Sequence, residues 1–433
     1  IGACFTGVEY VTTQQRDSSM AAECSRLLEI IQCAGACGAS WMQLSTHSAM
    51  FVGHSPVGLA THTAGGSAAQ GMLRATASEC PMLGVGAVDT SNAMPYAFTP
   101  SQRSAGLAMT QRLLPSAAAN VPGEPAPCSK GALYVLSGGL GSLGLLVAQW
   151  LASSEAGHVW LLGRSGRSSG DNEALQGLWQ SSACVVGRRC DLSSAEEAAG
   201  VTSGPKPLRG FMHAGGVLQD AIVANMTHDR CRAVFAPKLP GLHNMELCVR
   251  TAPMDGVVLF SSIASLLGGV GQANYTAANA ALDATACIQQ AQGVAGSSVQ
   301  WGTWVGGGMA LRDASTLVRA EKVGIGMVLP DVGLAVVAAF MRDLGSAGAR
   351  TETLQVGVAS PFVWSTFLQR VADPGIFSEY QAAVQTTACG SSTPRSRQGK
   401  AGRKAQPRQR REAAAGLSSA DKDALCSQVM QTV

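Results

Sequence analysis

The fold is decided by the stretch Leu133-Tyr134-Val135-Leu136-Ser137-Gly138-Gly139-Leu140-Gly141-Ser142-Leu143-Gly144. Its apolar start predicts a buried strand, and the apolar segment 145–152 predicts a helix directly after it. Gly139, Gly141 and Gly144 give the spacing GxGxxG between the two elements. Glycines at this spacing permit a tight turn and let a pyrophosphate approach the backbone at the helix N-terminus. The stretch therefore predicts a dinucleotide site over residues 138–144.

Further strand-like runs follow at intervals that leave room for helices. They are Val159–Leu162, Leu208–His213, Val257–Phe260 and Ser298–Trp301. This alternation predicts an α/β fold, with a Rossmann-like, doubly wound parallel sheet covered by helices on both faces. Earlier in the chain, 41–46 and 84–89 predict strands and 65–79 predicts a helix.

Polar residues follow the predicted strands where a cofactor would lie. Arg164 and Ser165 end the second strand, and a guanidinium there can bind a ribose 2′-phosphate that a carboxylate would repel. We therefore expect NADPH as the cofactor. Asp191 and Leu192 follow the third strand and are expected near the adenine. The run His213-Ala214-Gly215 ends the fourth strand and is expected beneath the nicotinamide ribose.

A serine and a tyrosine at a distinctive spacing suggest carbonyl chemistry. Ser262 lies thirteen residues before Tyr275, which begins a helix-like segment ending at Ala286. A hydroxyl and a phenol placed in this way could converge on one carbonyl oxygen, although each could also be an ordinary core hydroxyl. The lysine expected four residues after the tyrosine is absent, and Asn279 stands there instead.

The glycine loop and the Ser–Tyr spacing together resemble those of the short-chain dehydrogenase/reductase superfamily. Within it, the chain resembles the ketoreductase domains of polyketide synthases and animal-type fatty acid synthases. The resemblance is carried by blocks in one order, namely 137–144, 162–166, 213–218, Lys238, 259–262, 271–279, Leu282-Asp283, 301–304 and 308–310. Some positions depart from the family pattern: Ser137 and Leu140 replace threonines, Gly215 replaces alanine, and Gln300 replaces asparagine.

The resemblance assigns roles to four residues. In this family the lysine and asparagine exchange sequence positions, so Lys238 is the expected lysine. Tyr275 is expected to donate a proton to the ketone oxygen, with Lys238 lowering the pKa of its phenol. Ser262 is expected to hydrogen-bond the ketone oxygen, and Asn279 to hold the Lys–Tyr geometry. The expected activity is NADPH-dependent reduction of a β-ketoacyl thioester carried on the phosphopantetheine arm of an acyl carrier protein in cis, beside other synthase domains.

Substrate selection and stereochemistry are also implied by the resemblance. Leu218-Gln219-Asp220 and Leu259, which stands where A-type domains have tryptophan, favour a B-type domain that forms the D-alcohol. Trp304 and Met309 are expected to contribute to the substrate site.

The resemblance also divides the chain. It implies a truncated, non-catalytic Rossmann-like structural subdomain at 1–120, a linker at 121–129, a catalytic subdomain at 130–370, a basic disordered linker at 371–415 and the start of a carrier protein at 416–433. The chain is therefore expected to be a fragment of a longer polypeptide.

Charge distribution and cysteine spacing bear on nucleic-acid binding, metal binding and the cellular compartment. Eight basic residues and no acid lie between Arg395 and Arg411, so the net charge of +3 belongs to that segment and the remainder is acidic. The segment lacks aromatic residues for base stacking, which favours an interdomain linker over a nucleic-acid site. The thirteen cysteines show no paired metal-ligand spacing, and no secretory signal or membrane span is predicted. A reducing compartment, cytoplasmic or inside an organelle, is expected.

Two alternatives remain open at this point. One is a catalytically silent scaffold or docking domain that retains the fold. The other is a free-standing reductase of small ketones.

Overall fold

The computed structural model describes the two folded units of the chain. The described residues are 8–11, 20–36, 41–46, 60–80, 84–89, 128–154, 156–168, 172–181, 183–202, 206–305, 314–345, 356–370, 377 and 380. The predicted basic segment, the predicted carrier-protein start, Met309 and residues 121–127 of the predicted linker lie outside them. Within the described part of the chain, no helix combines the length and hydropathy needed to cross a bilayer.

The first unit is a sheet of three parallel strands, and it precedes the larger sheet in the chain. Its elements are β1 Val8–Val11, α1 Met20–Ala36, β2 Trp41–Thr46, α2 Ala60–Glu79 and β3 Gly84–Asp89. The strands lie in the order β1-β2-β3. The predicted strands at 41–46 and 84–89 are confirmed, while the helix predicted from residue 65 begins earlier, at Ala60.

The second unit is built on a seven-stranded parallel sheet. Its strands are β4 Leu133–Ser137, β5 His158–Gly163, β6 Cys184–Arg189, β7 Leu208–His213, β8 Gly256–Ser262, β9 Gly296–Trp301 and β12 Val356–Ala359. They lie in the order β12-β9-β8-β7-β4-β5-β6, and every neighbouring pair is parallel. The doubly wound, Rossmann-like prediction is thus confirmed. The strand order reverses beside β4, and ligands bind such sheets at the carboxyl ends of the strands there.

Helices cover both faces of this sheet. They are α3 Ser142–Ser153, α4 Asn172–Trp179, α5 Ala195–Thr202, α6 His228–Thr251, α7 Ala264–Leu267, α8 Ala273–Ala291, α9 Ala314–Lys322, α10 Pro330–Gly345 and α11 Trp364–Phe367. A short separate pair is formed by β10 Thr303–Trp304 and β11 Met327–Val328.

Alternate residues of β4 belong to two different cores. Leu133 and Val135 belong to one apolar cluster with residues of α6 and α8, whereas Tyr134 and Leu136 belong to another with residues of α3 and α10. A strand buried on both faces reads as a continuous apolar run, which is why the sequence identifies it clearly.

The first unit packs against the helix that carries Tyr275. A Cβ added at Gly71 of α2 would lie 2.8 Å from the carbonyl oxygen of Thr276 and 2.9 Å from the Cβ of Ala280. Glu79, at the end of α2, accepts hydrogen bonds from the backbone N–H groups of Val223 (2.5 Å) and Gly271 (2.8 Å). The first unit therefore contacts both α8 and the loops that precede it.

The packing of the second unit continues past residue 370. Phe377 is fully buried, and the ring of Tyr380 stacks on Trp364 with centroids 4.0 Å apart. The disordered linker predicted from residue 371 therefore does not begin there. The signal available in the sequence was the pair Phe377 and Tyr380 in the less polar first part of 371–415, which the composition of the whole segment concealed.

Candidate active site

Three of the four predicted catalytic residues come from two adjacent elements. Ser262 is the last residue of β8, and Tyr275 lies in the first turn of α8. Asn279 lies one turn further along α8 and is completely buried. Its Nδ2 donates to the carbonyl oxygen of Tyr275 at 2.9 Å, while its Oδ1 is buried with no hydrogen-bond partner among the described residues. An unpaired acceptor at this position suits a bridging water or an incoming donor.

Lys238 reaches the same place from α6. It is 2% exposed, its Nζ donates to the carbonyl oxygen of Phe260 at 3.2 Å, and the Nζ lies 5.7 Å from the centroid of the Tyr275 ring. Burial lowers the pKa of Lys238 to about 8, against an opposing effect of the Asp283 carboxylate. The structure thus brings together the lysine and tyrosine that lie 37 residues apart in the sequence.

The pKa of Tyr275 differs from the expectation. Burial raises the pKa of its phenol above the usual value, and the neighbouring side chains of Asn279 and Ser262 oppose the shift only in part. The net lowering predicted from Lys238 is therefore not found, because desolvation of the phenolate dominates. A phenol with a raised pKa stays protonated at neutral pH and remains able to donate its proton.

The side chain of His213 points to Lys238. Its fully buried ring places Nε2 2.8 Å from the carbonyl oxygen of Lys238, while the backbone at 213–215 remains the segment expected beneath the nicotinamide ribose. Because a carbonyl oxygen can only accept, Nε2 carries the proton in this contact. Burial lowers the pKa of His213 to about 4, so the ring is neutral. Pro237 and Pro240 lie within α6 on either side of Lys238, and each removes one backbone donor from the helix.

The glycine loop has the close contacts that a phosphate-binding turn requires. Gly138 has a φ of +70°, a conformation that favours glycine. A Cβ at Gly144 would lie 2.5 Å from the carbonyl oxygen of Gly138. Leu140 and Leu143 turn instead toward the core formed with α3, and Ser142 begins that helix. The turn therefore exposes backbone at the start of α3, which is where a pyrophosphate would bind.

A cleft opens beside this loop at the carboxyl ends of β4, β5 and β7. Of the predicted cofactor residues, those lining it are Gly138, Arg164, Asp191, Leu192 and Gly215. Arg164 and Ser165 are exposed at the end of β5. Asp191 accepts hydrogen bonds from the backbone N–H and the hydroxyl of Ser193, at 3.0 and 2.7 Å. The residues present therefore fit a dinucleotide.

Two residues of the cleft add to the sequence analysis: Gly215, which replaces the alanine usual in the family, and Pro237, which the sequence analysis did not assign to the site. A Cβ at Gly215 would lie 2.6 Å from the Oγ of Ser137, so glycine there accommodates the serine at the end of β4. Ala214 donates its backbone N–H to the carbonyl oxygen of Ser137 at 3.0 Å. Pro237 lines the cleft next to Lys238, and its place directly before the predicted lysine was the available signal.

Comparison with known proteins agrees with this geometry. Residues 132–306 match the family model described as the KR domain. Polyketide synthase GfsB of Streptomyces halstedii is 38% identical over 197 residues, which are 45% of this chain and 4% of that protein. A mycocerosic acid synthase-like polyketide synthase of Mycolicibacterium smegmatis is 34% identical over 214 residues, or 47% of this chain and 10% of that protein. Residues 132–306 form a KR domain of the kind found in polyketide synthases.

Solved structures share the architecture over most of the chain. The first ketoreductase of the tylosin PKS is 25% identical with a TM-score of 0.64, covering 81% of this chain and 76% of that one. An A1-type ketoreductase is 23% identical with a TM-score of 0.66, covering 84% and 82%. The second likeness concerns the fold alone. The family implies an oxidoreductase, and the chain spans only a small fraction of the curated relatives it matches.

The ketoreductase domain holds its predicted stereocontrol segment through backbone and side-chain contacts. The carbonyl oxygen of Gln219 accepts from the Nδ2 of Asn274 at 3.0 Å, and the Oδ2 of Asp220 accepts from the Nε2 of Gln272 at 3.1 Å. Leu218 lies beside them, half-buried. The segment after β7 is therefore attached directly to the residues that precede Tyr275.

Two other residues of the predicted substrate set lie in cores. Leu259 is completely buried in the cluster shared with α6 and α8. Trp304 is 3% exposed and packs edge-on against Trp301, with ring centroids 4.8 Å apart. Trp304 therefore belongs to the core of the ketoreductase domain and not to an open substrate surface, a distinction that an aromatic residue near a motif does not reveal in sequence. Met309, the remaining member of the set, lies outside the described residues.

Proposed function

We propose that this chain reduces a β-ketoacyl thioester, carried on an acyl carrier protein within a polyketide synthase, to the β-hydroxyacyl thioester with NADPH. The observation that carries the proposal is that Lys238, Ser262 and Asn279 all lie next to Tyr275. Pro237, directly before Lys238, lines the glycine-loop cleft. The polyketide synthases among the relatives, each far longer than the matched segment, support a carrier protein and other synthase domains as partners in cis.

The chemistry divides between the cofactor and four side chains. The glycine loop and Arg164 would hold NADPH, and the bound cofactor would be the source of the hydride for the ketone carbon. Tyr275 donates its phenolic proton to the ketone oxygen, and Ser262 donates a hydrogen bond to that oxygen as charge develops on it. The Lys238 ammonium stabilises the phenolate that remains. The buried Oδ1 of Asn279 accepts the hydrogen bond that fixes the lysine relative to the tyrosine, through a water where the gap requires one.

The assay follows NADPH consumption with an N-acetylcysteamine β-ketothioester and with trans-1-decalone. We expect both substrates to be reduced, with NADPH strongly preferred over NADH. Cofactor binding without turnover of either substrate would indicate a silent scaffold. Turnover of small ketones with none of the thioester, even when it is loaded on a carrier protein, would indicate a free-standing reductase.

We further propose the B-type stereochemical course. Leu259 in place of tryptophan and the Leu218-Gln219-Asp220 segment support it. Chiral chromatography of the hydroxy thioester should give the D-alcohol, and an L-alcohol would refute the assignment.

Arg164→Ala is predicted to raise the KM for NADPH about tenfold while leaving the KM for NADH unchanged, because one charged hydrogen bond to the 2′-phosphate is lost. Steady-state kinetics with both cofactors measures this. Arg232, which is exposed on α6 and does not line the cleft, provides the matched control as Arg232→Ala. An equal loss with NADPH and NADH would show that Arg164 does not recognise the phosphate.

A further inference from the structure

Asp283 is a buried carboxylate on α8 itself, and it takes no direct part in the proposed chemistry. Asp283 is 4% exposed, and its oxygens lie 2.7 Å from each of the Ser298 Oγ, the Gln300 Nε2 and the Ser265 Oγ. All three groups can donate, which suits an ionised carboxylate. Burial raises the pKa of Asp283, and these hydrogen bonds oppose that shift. Hydrogen-bond donors and nearby positive charges both favour the ionised form of a buried carboxylate.

Two basic residues from different units lie close enough to this carboxylate for its charge to affect their pKa values. Asp283 raises the pKa of Lys238 on α6 against the effect of burial. It does the same for Arg74, which lies on α2 of the first unit. Arg74 also donates from Nη1 to the carbonyl oxygen of Ser265 at 2.5 Å. The first unit thus contributes a charge and a hydrogen bond to the interior of the ketoreductase domain.

Ser265 connects this charge cluster to the catalytic serine. Its hydroxyl lies 2.8 Å from the carbonyl oxygen of Ser262 and 2.7 Å from the Oδ2 of Asp283, so one proton serves two acceptors. The same turn ends at Gly268, where a Cβ would lie 2.7 Å from the carbonyl oxygen of Arg74. The segment from Ser262 to Gly268 therefore packs directly against α2 at Arg74.

We propose that Arg74, Ser265 and Asp283 are positioning residues through which the first unit fixes the catalytic serine. Arg74 and the Ser265 hydroxyl hold the backbone that follows β8, while Asp283 joins that segment to β9 through Ser298 and Gln300. The first unit then has a direct role in catalysis beyond buttressing the fold. The catalytic part of this inference rests on the proposed reductase activity.

Arg74→Met tests the inference by removing the charge and the donor while keeping much of the side-chain volume. We expect kcat to fall by about 10- to 100-fold, because small displacements of a reacting group cost rates of this order. The dissociation constant for NADPH should change by less than about twofold, since the cleft lies elsewhere on the sheet. Arg74→Lys should recover part of the lost kcat.

The matched control is Glu29→Gln. Glu29 accepts from His228 at 2.8 Å across the same two units, but this exposed pair does not reach the Ser262 segment. We expect wild-type kcat in this variant. An equal loss of kcat in Glu29→Gln and Arg74→Met would show that any weakening of the contact between the units has the same effect, and would overturn the specific role of Arg74.

Amide hydrogen exchange separates this inference from the proposed function. In Arg74→Met, exchange over residues 262–272 should become about tenfold faster, while the glycine loop at 138–144 keeps its wild-type protection. This result can be read even if the wild-type protein reduces no ketone, in which case the proposed function fails and the connection through Arg74 stands. Unchanged exchange over 262–272 would overturn the inference whatever the activity.

Ser265→Ala provides a second variant in case Arg74→Met does not fold. It keeps both buried charges and removes only the hydroxyl between Ser262 and Asp283. We expect kcat to fall by about tenfold with the KM for NADPH unchanged. A folded Ser265→Ala protein with wild-type kcat would refute the proposed connection to the catalytic serine.

Discussion

Replacing Tyr275 by phenylalanine is expected to lower kcat for ketone reduction by about a thousandfold, within the range that general acids contribute. The variant keeps the ring, so packing within α8 and against Lys238 is little changed. It removes the only proton that the proposed mechanism delivers to the ketone oxygen. Burial raises the pKa of Tyr275, so the phenol stays protonated at neutral pH and can act as the donor.

The measurement pairs turnover with cofactor binding. NADPH fluorescence titration should give a dissociation constant within about twofold of the wild type, since the phenol is not a binding group for the phosphates. Tyr134→Phe is the control, because its phenol is also buried but contacts Asp255 and the backbone N–H of Ser129 near the amino end of β4. That variant should lose stability and keep its turnover. Substantial activity in Tyr275→Phe would refute the assignment of the proton donor.

The parts of the molecule that could be predicted from sequence depend on local patterns. Strand β4 can be predicted because both of its faces are buried, which gives a continuous apolar run. The turn after it can be predicted because its backbone conformation requires glycine. The resemblance supplied Lys238, since nothing in the residues around it distinguishes a buried lysine from a surface one. Its burial and its contact with Phe260 are known only from the structure.

The parts that could not be predicted depend on contacts between distant residues. Arg74 and Ser265 are 191 positions apart, and a lone arginine in a helix reads as a solvated residue. The direction of the Tyr275 pKa follows from a competition between burial and charge, and only the three-dimensional packing decides it. Asp283 was visible as part of a motif, but its partners come from a turn, a strand and the other unit.

Lys238→Met is expected to reduce kcat by about 100-fold or more, because the phenolate formed when Tyr275 gives up its proton loses its neighbouring ammonium. Methionine retains the length of the lysine stem, so α6 should keep its packing. The buried Asp283 carboxylate would lose the favourable effect of the nearby ammonium, and we therefore also expect a lower free energy of unfolding. Lys206→Met, at an exposed position before β7, is the control and should change neither quantity.

The pH profile of the wild-type protein tests the same charge without a substitution. The pKa of Lys238 is lowered to about 8, whereas that of Tyr275 is raised above its ordinary value, so the lysine is the first of the two to lose its proton as the pH rises. If the reaction requires the ammonium, kcat/KM should be level below about pH 8 and fall about tenfold per pH unit above it. Asp283→Asn removes the carboxylate that favours the charged lysine, so the fall should move to lower pH in that variant. The opposite result would be a kcat/KM that falls only near the pKa of a free phenol and whose midpoint Asp283→Asn does not shift. It would show that the reaction does not require the charge of Lys238, and that loss of the Tyr275 proton alone limits activity at high pH.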